Sequence, residues 1–376
     1  MRIAPRSTVF LCLAVAVSLI GCSSVAATDG TVVAGATPAV VMPSVTPSAT
    51  PAAVTPSVTP SVTPSVMPSA TPDSPGAPPT GVPSATPTGV PAAPLPALAP
   101  VPYRVRAFNL QSLTWDQLWT NGGPIVPYAA RGHKDADGVP MRKWIDGKYY
   151  YTPVKIEIEG IVHLDSYVRT DNDPGYIPTL QKLDQKLRQL AVPSGGALFL
   201  PMPFDFNHGG LKAPWYNAMA QGYGLSFFVR MYRIFGDPGD LDMANALFRS
   251  FQILGPSTSP WVSQVVNGNL WLEHYPNGKY LEVLNAHMHA LFGLYDYWQL
   301  ANTPASLQVL DGAITTMRLD LHLFRRIGKT SRYCLVNPVY SLKYHRLHIQ
   351  QVQELALITA DPYFTQFAQR LIWDTD

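Results

Sequence analysis

The feature that most constrains the fold is a proline-containing turn that recurs about every 60 residues. Short polar segments carry Pro174, Pro238, Pro304 and Pro362, which are 64, 66 and 58 residues apart. Each proline follows an Asp or a Thr, and proline after such a capping residue is a helix-start signal. A repeat of this length, with a helical pattern on each side of the turn, indicates helical hairpins arranged in series.

The segments around these turns carry the apolar spacing of amphipathic helices. In one stripe, apolar residues recur at intervals of three and four positions, which places them on one helix face: Leu281, Leu284, Met288, Leu291, Tyr295 and Trp298. Serial hairpins that each bury such a face commonly close into a toroid. We therefore predict a mainly all-α fold, an α/α toroid of about four helical hairpins. Residues 110–119 are a candidate for part of a fifth.

Three connections between the hairpins are long, and each contains a short strand-like segment. They cover residues 191–212, 255–279 and 325–342. If the hairpins run in register, all three leave the toroid at the same end, and long loops on a rigid scaffold are where functional residues concentrate. We predict short β pieces in these loops and a functional site between them. Its expected members are Asp205, Tyr275, Arg332 and Tyr344.

The first 22 residues have the layout of an export signal. Arg2 and Arg6 precede an apolar run over residues 9–20, which is short for a membrane span. The run ends in Leu19-Ile20-Gly21-Cys22-Ser23, which resembles the bacterial lipoprotein signal. This resemblance implies that residues 1–22 are a signal peptide and that Cys22 carries a lipid anchor to the bacterial cell membrane, outside the cytoplasm. An ordinary secretory signal with a chance cysteine is the alternative.

Residues 23–100 are predicted to be a disordered stalk rich in Pro, Thr and Ser. Residues 31–100 contain 18 of the chain's 37 prolines and a single charged residue, Asp73. Such a composition cannot bury enough apolar surface to offset the entropy of ordering, and proline keeps the chain extended, at roughly 3.1 Å per residue. The folded domain is therefore expected over residues 101–376, which is long enough for one large core.

Charge and motif content exclude several classes of function. The formal net charge is +2 at pH 7, far from the basic balance of a nucleic-acid binder. No phosphate-binding loop, dinucleotide fingerprint or strong metal motif occurs, so we expect no cofactor and no metal. Beyond Cys22 the sequence has only Cys334, and no disulfide framework can form from one cysteine.

Aromatic and titratable residues concentrate at three loop-to-helix junctions. In chain order the junctions read Ala213-Pro214-Trp215 with Gln221-Gly222, then Glu273-His274-Tyr275-Pro276, then Tyr344-His345-Arg346. In this order they resemble the C-terminal domain of the D-glucuronyl C5-epimerases, which convert glucuronate to iduronate within heparan-type polysaccharides. The resemblance extends from about residue 149 to the C-terminus. It implies an isomerase that acts on a uronate-containing polysaccharide.

The residue types suit this reaction. Epimerisation at C5 removes a proton beside a carboxylate and returns one to the opposite face, so a base and an acid must each lie within about 3 Å of their target. Tyrosine can fill either role, although its unperturbed pKa of about 10 requires help from a nearby cation. The resemblance implies that Tyr275 and Tyr344 are the opposed proton carriers and that Arg332 contacts the substrate carboxylate.

Two positions depart from the family pattern. The glutamate before the first tyrosine is His274 here, and a third tyrosine of the family falls on Lys329, where Tyr333 is a possible substitute. We predict that His274 is a catalytic base near its ordinary pKa of about 6.5. The complete set of predicted substrate-binding residues is Arg332, Lys329, Tyr333, His345, Asp205, Trp215 and Gln221.

Other interpretations of the same residues stay open at this point. Asp205 can bond sugar hydroxyls or hold its own loop, and His345 with His348 can bind metal or be structural. A polysaccharide lyase shares the first step but expels the C4 oxygen, which Lys329 or His274 would neutralise. A non-catalytic glycan-binding lipoprotein is the third hypothesis. The presence of both tyrosines and Arg332 favours the epimerase.

Overall fold

The computed structural model of the chain describes residues 100–375. The predicted signal peptide, the lipidation of Cys22 and the stalk up to residue 99 lie outside the described residues. Within the described part, eight α-helices form four consecutive hairpins. This agrees with the predicted mainly helical α/α toroid of about four hairpins.

The first two hairpins consist of α1 (Pro153–Arg169) with α2 (Ile177–Leu190), and of α3 (Ala218–Phe235) with α4 (Pro238–Ser250). The other two consist of α5 (Leu284–Ala301) with α6 (Pro304–Phe324), and of α7 (Leu342–Thr359) with α8 (Pro362–Trp373). The helices α1, α3, α5 and α7 contact one another in series and form an inner layer. Each of α2, α4, α6 and α8 packs on the inner helix that precedes it.

The repeated prolines begin the second helix of three hairpins, as the sequence predicts. Pro238, Pro304 and Pro362 are the first residues of α4, α6 and α8, whereas Pro174 opens a short 3₁₀ turn that leads into α2. The Asp or Thr side chain before each proline accepts a backbone N–H from the first turn. Because the cap bonds an otherwise unpaired donor and proline has no N–H to lose, the two residues fix where each helix starts.

The strands are short and lie in the connections. An antiparallel pair precedes α1, namely β1 (Arg142–Lys143) with β2 (Tyr149–Tyr150). A second antiparallel pair, β3 (Val192–Ser194) with β4 (Ala197–Phe199), follows α2. Between α4 and α5, β5 (Leu254–Gly255) runs parallel to β6 (Ser263–Val266), which pairs antiparallel with β7 (Asn269–Leu272).

Two predicted elements differ in the structure. Residues 110–119 form only the 3₁₀ helix Trp115–Gln117 and no fifth hairpin. This segment instead lies along the inner helices, where the Leu113 N–H donates to the Tyr295 hydroxyl at 2.9 Å. The strand-like residues 333–336 form only an isolated bridge between Cys334 and Val283. In both segments, contacts with distant parts of the chain take the place of regular secondary structure.

The three long connections meet at one end of the toroid, as predicted. The Ala218 N–H donates to the Glu273 carbonyl at 2.8 Å, which joins the connection before α3 to the one before α5. The Leu284 N–H donates to the Tyr333 carbonyl at 3.0 Å, which adds the connection before α7. Among residues 100–375, no helix is both long and apolar enough to cross a membrane.

The helices α3 and α5 touch backbone to backbone through two glycines. A Cβ atom added to Gly293 would lie 2.1 Å from the Gly222 carbonyl oxygen, and one added to Gly222 would lie 2.4 Å from the Cα of Ala290. No side chain can be accommodated at these distances without moving a helix. The close crossing is therefore specified by the absence of side chains at Gly222 and Gly293.

A buried ion pair lies further along the same two helices. Arg230 of α3 and Asp296 of α5 approach to 2.8 Å, and their side chains are at most 3% exposed. Asp296 also accepts a hydrogen bond from Ser226. Arg230 donates to Asn121 at 2.7 Å and to the Trp119 carbonyl at 3.1 Å, so every charge in the group is partnered and the N-terminal segment is held on the inner layer.

We predict that Gly222→Ala destabilises the protein by roughly 1–3 kcal/mol, because the added methyl overpacks a backbone contact that cannot yield. Urea unfolding monitored by circular dichroism measures the change in free energy of unfolding. Gly123→Ala is the matched control, since a Cβ at Gly123 meets no atom within 4 Å. Equal stabilities of the two variants would contradict the close-packing argument.

Candidate active site

A half-open pocket lies where the three connections meet. The cavity inside it has a volume of about 30 Å³, which is room for one or two water molecules. Its walls combine six Trp, Phe and Tyr side chains with a few polar and charged groups. The lining residues are Arg142, Trp144, Thr152, Met202, Phe204, Phe206, Trp215, His274, Tyr275 and Tyr344.

The loop that carries His274 and Tyr275 is held by the buried side chain and backbone of Glu273. The Glu273 N–H donates to the Val262 carbonyl at 2.7 Å, and its carboxylate accepts from Gln264 at 2.7 Å. Burial raises the pKa of Glu273 to about 7, against the lowering effect of the hydrogen bonds that its carboxylate accepts from Gln264 and from the Glu282 N–H. Because β7 is buried along its whole length, the chain leaves it in a fixed direction and delivers Tyr275 to the pocket.

Aromatic rings from several connections form one wall of the pocket. Trp144 stacks on Phe204 at a centroid distance of 3.8 Å, and Trp215 lies 5.9 Å from Tyr275. The Trp215 indole N–H donates to the Phe204 carbonyl at 2.8 Å, so this group is already bonded. Trp215 therefore reaches the site predicted for it, where it offers a ring surface.

Three tyrosines form a continuous cluster beside the pocket. The hydroxyl oxygens of Tyr275 and Tyr333 are 3.4 Å apart. The rings of Tyr333 and Tyr344 have centroids 4.5 Å apart. Tyr333 is buried, whereas Tyr275 and Tyr344 reach the lining. The structure thus brings together the two predicted proton carriers, with Tyr333 linking them.

Arg142 is the cation at this pocket, and the sequence analysis did not single it out. Burial lowers the pKa of its guanidinium, while the neighbouring phenols of Tyr275 and Tyr344 act in the opposite direction. Its guanidinium carbon lies 5.2 Å from the centroid of the Trp144 ring. Arg142 belongs to the two-residue strand β1, outside the three recognised motifs, and no pattern in the sequence marks it.

His274 lines the pocket, but its pKa differs from the prediction. Burial, with a smaller contribution from the Arg142 charge, lowers the pKa of its imidazole from 6.5 to about 3. His274 is therefore neutral at pH 7, and the expectation of an ordinary pKa is wrong. A neutral imidazole can donate or accept a hydrogen bond, but a pKa of about 3 makes it a weak base.

Arg332 and Lys329 lie outside the pocket lining. The Arg332 guanidinium donates to the Leu323 carbonyl at 2.5 Å, near the end of α6. Lys329 is exposed in a tight turn, where its backbone N–H donates to the Arg326 carbonyl at 3.0 Å. The structure thus gives no support to direct contact of either side chain with a substrate in this pocket.

Gln221 and His345 serve the fold. The Gln221 amide accepts from the Leu200 N–H at 2.7 Å and donates to the Leu198 carbonyl and the Ser250 hydroxyl, which fixes β4 on α3. His345 is fully buried and bonds the Ser331 N–H and the Leu371 carbonyl, both at 2.9 Å. Their predicted role in substrate binding is corrected, because their polar atoms already have protein partners.

Asp205 holds its own loop, which was one of its two predicted roles. One carboxylate oxygen accepts from the Ala213 N–H at 2.9 Å, and the other pairs with Lys212 at 2.7 Å. His348 bonds Ser331 at 2.8 Å, as a structural histidine would. Within residues 100–375, no group of three or more His, Cys, Asp or Glu side chains could hold a metal ion.

We predict that His274→Gln alters the pH dependence of stability. The unfolded state takes up a proton on His274 near pH 6.5, whereas the folded state does so only near pH 3. Acid therefore destabilises the wild type relative to the variant, by about 1.4 kcal/mol per pH unit below pH 6.5. Urea unfolding between pH 4.5 and 8 measures this difference.

The control for this series is Thr152→Val, which changes the same pocket without removing a titrating group. Its stability difference from the wild type should be independent of pH. If the stability difference for His274→Gln is also independent of pH from 8 to 4.5, His274 takes up its proton at the same pH in the folded and unfolded states, and its pKa is not lowered by folding.

Comparison with solved structures finds helical proteins of low overall similarity. A GH76 α-mannanase from Bacteroides thetaiotaomicron gives a TM-score of 0.42 at 11% identity, over 62% of this chain and 63% of that one. A cellobiose 2-epimerase from Bacillus thermoamylovorans gives 0.43 at 12% identity, over 61% and 62%. These values carry no functional argument; the toroid follows from the helix contacts described above.

Comparison of sequences is more specific. A Caenorhabditis elegans D-glucuronyl C5-epimerase is 27% identical over 180 residues, which cover 43% of this chain and 29% of that protein. The chain thus matches less than a third of this relative's length. Residues 197–373, a little under half of the chain, match the family model described as D-glucuronyl C5-epimerase C-terminus, and this part of the chain is similar to that C-terminal domain.

Proposed function

We propose that this domain epimerises C5 of D-glucuronate to the L-iduronate form within an anionic polysaccharide, without a cofactor. The observation that carries the proposal is the position of Tyr275 and Tyr344 in one pocket, each close to the charge of Arg142. The family match of residues 197–373 supports the same reaction class, an isomerase.

The proposed chemistry uses two tyrosines on opposite faces of the sugar. A phenolate takes the C5 proton, and the electron pair of the C5–H bond moves into the neighbouring carboxylate. The second tyrosine then gives a proton to the other face of C5. Tyr275 lies in the connection before α5 and Tyr344 in the first turn of α7, so the two phenols belong to different elements of the pocket wall.

We assign to Arg142 the task that the sequence analysis gave to Arg332. The carboxylate gains negative charge as the C5 proton leaves, and a cation fixed beside it lowers the energy of that state. The same cation favours the phenolate form of a neighbouring tyrosine. Because Arg142 is partly buried, water screens its charge less than it would screen a fully exposed cation.

His274 fits a hydrogen-bonding role in this mechanism. Its pKa of about 3 leaves it uncharged throughout the neutral range. The His274 ring lies near Arg142 and Tyr275. Because it is neutral, it does not compete with Arg142 for the negative charge of the substrate carboxylate. The change from the glutamate of the family pattern to His274 also removes a negative charge that would repel that carboxylate.

We further propose that lipid on Cys22 anchors the protein outside the cytoplasm, with residues 23–100 as a spacer. The support is the sequence pattern alone. Expression of the full chain in a bacterium with a labelled fatty acid should give a labelled membrane-bound protein, and Cys22→Ala should lose the label and leave the membrane fraction. Unlabelled wild-type protein would overturn the anchor.

We predict that Tyr275→Phe and Tyr344→Phe each lower the epimerisation rate by about 10²–10⁴-fold, because each removes a proton carrier. The assay is NMR of uronate-containing polysaccharides incubated in D₂O, where epimerisation gives deuterium at C5 and new iduronate signals. In the same assay, Arg142→Ala should lower the epimerisation rate by about 10²-fold or more. The rate of Arg332→Ala should stay near that of the wild type.

Tyr340→Phe is the control, because Tyr340 is exposed on the connection before α7 and outside the pocket lining. Deuterium at C5 without inversion would mean that the protein transfers protons on only one face of the sugar. A product that absorbs in the ultraviolet would identify a lyase instead. Binding with no exchange at C5 would identify a non-catalytic glycan-binding protein.

A further inference from the structure

An isoleucine occupies the apex of a tight turn between α6 and α7. The turn is Arg326-Ile327-Gly328-Lys329, and the Lys329 N–H closes it by donating to the Arg326 carbonyl at 3.0 Å. Gly328 has a φ of 67°, the positive value that the second central position of a type II turn requires. Ile327 is 82% exposed, although such positions usually carry polar residues or glycine. The turn thus displays an apolar side chain between two cations.

The turn is fixed to the end of α8. Arg325 donates to both oxygens of the Asp374 carboxylate, at 2.7 and 3.0 Å, and the Gly328 N–H donates to the same carboxylate at 3.0 Å. The Asp374 side chain is only 3% exposed, so its charge is neutralised beneath the surface. Trp373, which precedes it, is 65% exposed. Because Ile327 and Trp373 are each next to a residue of this bonded group, they lie on the same part of the surface.

Cations surround these two apolar side chains. Residues 321–353 contain six Lys and Arg residues and no Asp or Glu. The guanidinium carbon of Arg326 lies 4.0 Å from the ring centroid of Tyr340, which is itself 49% exposed. Arg370 is exposed on α8, one turn before Trp373. Within residues 100–375, Arg326, Lys329 and Arg370 form no ion pair.

This surface, here called the basic apolar patch, lies at the pocket end of the toroid. α6 ends there at Phe324, α7 begins there at Leu342 and α8 ends there at Trp373. The pocket residue Tyr344 is in the first turn of the same α7. The members of the patch are Arg326, Ile327, Lys329, Tyr340, Arg370 and Trp373.

The composition of the patch defines the chemistry of its partner. Exposed apolar side chains of this size leave a favourable burial unused in water, and the unpaired cations attract negative charge. A partner that matches both is apolar in one layer and anionic in the next. A second copy of the chain matches poorly, because a two-fold contact would bring the same cations against one another.

A glycan matches only part of the patch. Its sulfates or carboxylates suit the cations, and its rings can stack on Tyr340 or Trp373, but its hydroxylated surface offers nothing to an aliphatic turn apex such as Ile327. A lipid bilayer with anionic headgroups matches all of it. Trp and Tyr favour the membrane–water interface, Lys and Arg bind the anionic headgroups, and an apolar apex reaches the acyl chains.

We propose that the basic apolar patch docks the domain on the surface of an anionic lipid bilayer. Ile327 and Trp373 enter the boundary between headgroups and acyl chains, while Arg326, Lys329 and Arg370 stay among the phosphates. This docking requires neither lipid on Cys22 nor the C5 reaction. Because the patch lies at the pocket end, a docked domain has its pocket close to the membrane surface.

The test is sedimentation with vesicles. The chain is used without residues 1–22, so that neither the apolar run nor Cys22 contacts lipid, and every described helix is kept. It should bind vesicles of phosphatidylcholine mixed with phosphatidylglycerol about tenfold or more tightly than phosphatidylcholine alone, and salt should weaken this binding. Ile327→Ser should weaken it about tenfold, and Lys329→Gln about fivefold.

Leu357→Ser and Lys182→Gln are the matched controls. Leu357 is 50% exposed in the last turn of α7, at the end of the toroid opposite the pocket. Lys182 is exposed on α2. Both variants should bind the mixed vesicles as the wild type does. Absence of wild-type binding, or equal losses in Ile327→Ser and Leu357→Ser, would overturn the proposal.

A second measurement places the contact. Lipids with brominated acyl chains quench tryptophan fluorescence on contact, and the other tryptophans of the chain lie outside the patch. Trp373→Phe keeps an apolar ring, so it should still bind vesicles but lose most of the quenching. Quenching that is unchanged in Trp373→Phe would show that another surface touches the lipid.

Two other results would assign the patch to a different partner and reject the membrane. One is retention on immobilised dextran sulfate that falls in Lys329→Gln but not in Ile327→Ser, without vesicle binding, which would identify an anionic glycan. The other is a concentration-dependent dimer in analytical ultracentrifugation that Ile327→Ser abolishes, which would identify a second copy of the chain. Neither result depends on whether the domain epimerises uronates.

Discussion

The contact between Gly222 and Gly293 is the constraint on which the rest of the structure depends. It lets the backbones of α3 and α5 meet directly, and it is one turn from the bond that joins Tyr223 to His289. The loops that carry Trp215 and Tyr275 lead into the pocket ends of these two helices. A side chain at either glycine would separate these helices, and the pocket wall would separate with them.

Burial then decides the chemistry of the groups held by this frame. His274, His289 and His348 are kept neutral by loss of solvation, while Arg142 keeps its charge because guanidinium is a very strong base. The result, among the residues that line the pocket, is a partly buried cation close to two phenols and to a neutral imidazole. Such a site suits a reaction in which negative charge appears on a carboxylate and protons move between faces.

Much of the fold could be predicted because its signals are local. The capping residues and prolines at Pro174, Pro238, Pro304 and Pro362 act within one helical turn, and apolar spacing reveals the buried faces. The tyrosines of the site were found through motifs. Arg142 was missed because its position depends on β1 folding over the pocket, and Gln221 and His345 were misassigned because their partners are distant in sequence.

The sequence by itself determined the helical hairpins, the end of the toroid where the long connections gather, and the residue types available there. Only the tertiary structure decided which of those residues share a pocket and in which state of protonation. The physical reason is that helix starts and amphipathic faces depend on neighbours within a few residues. The protonation of a site group depends on its desolvation and on the charges near it. Both depend on residues that are far apart in the sequence, such as Arg142 and Tyr344, which are separated by about 200 residues.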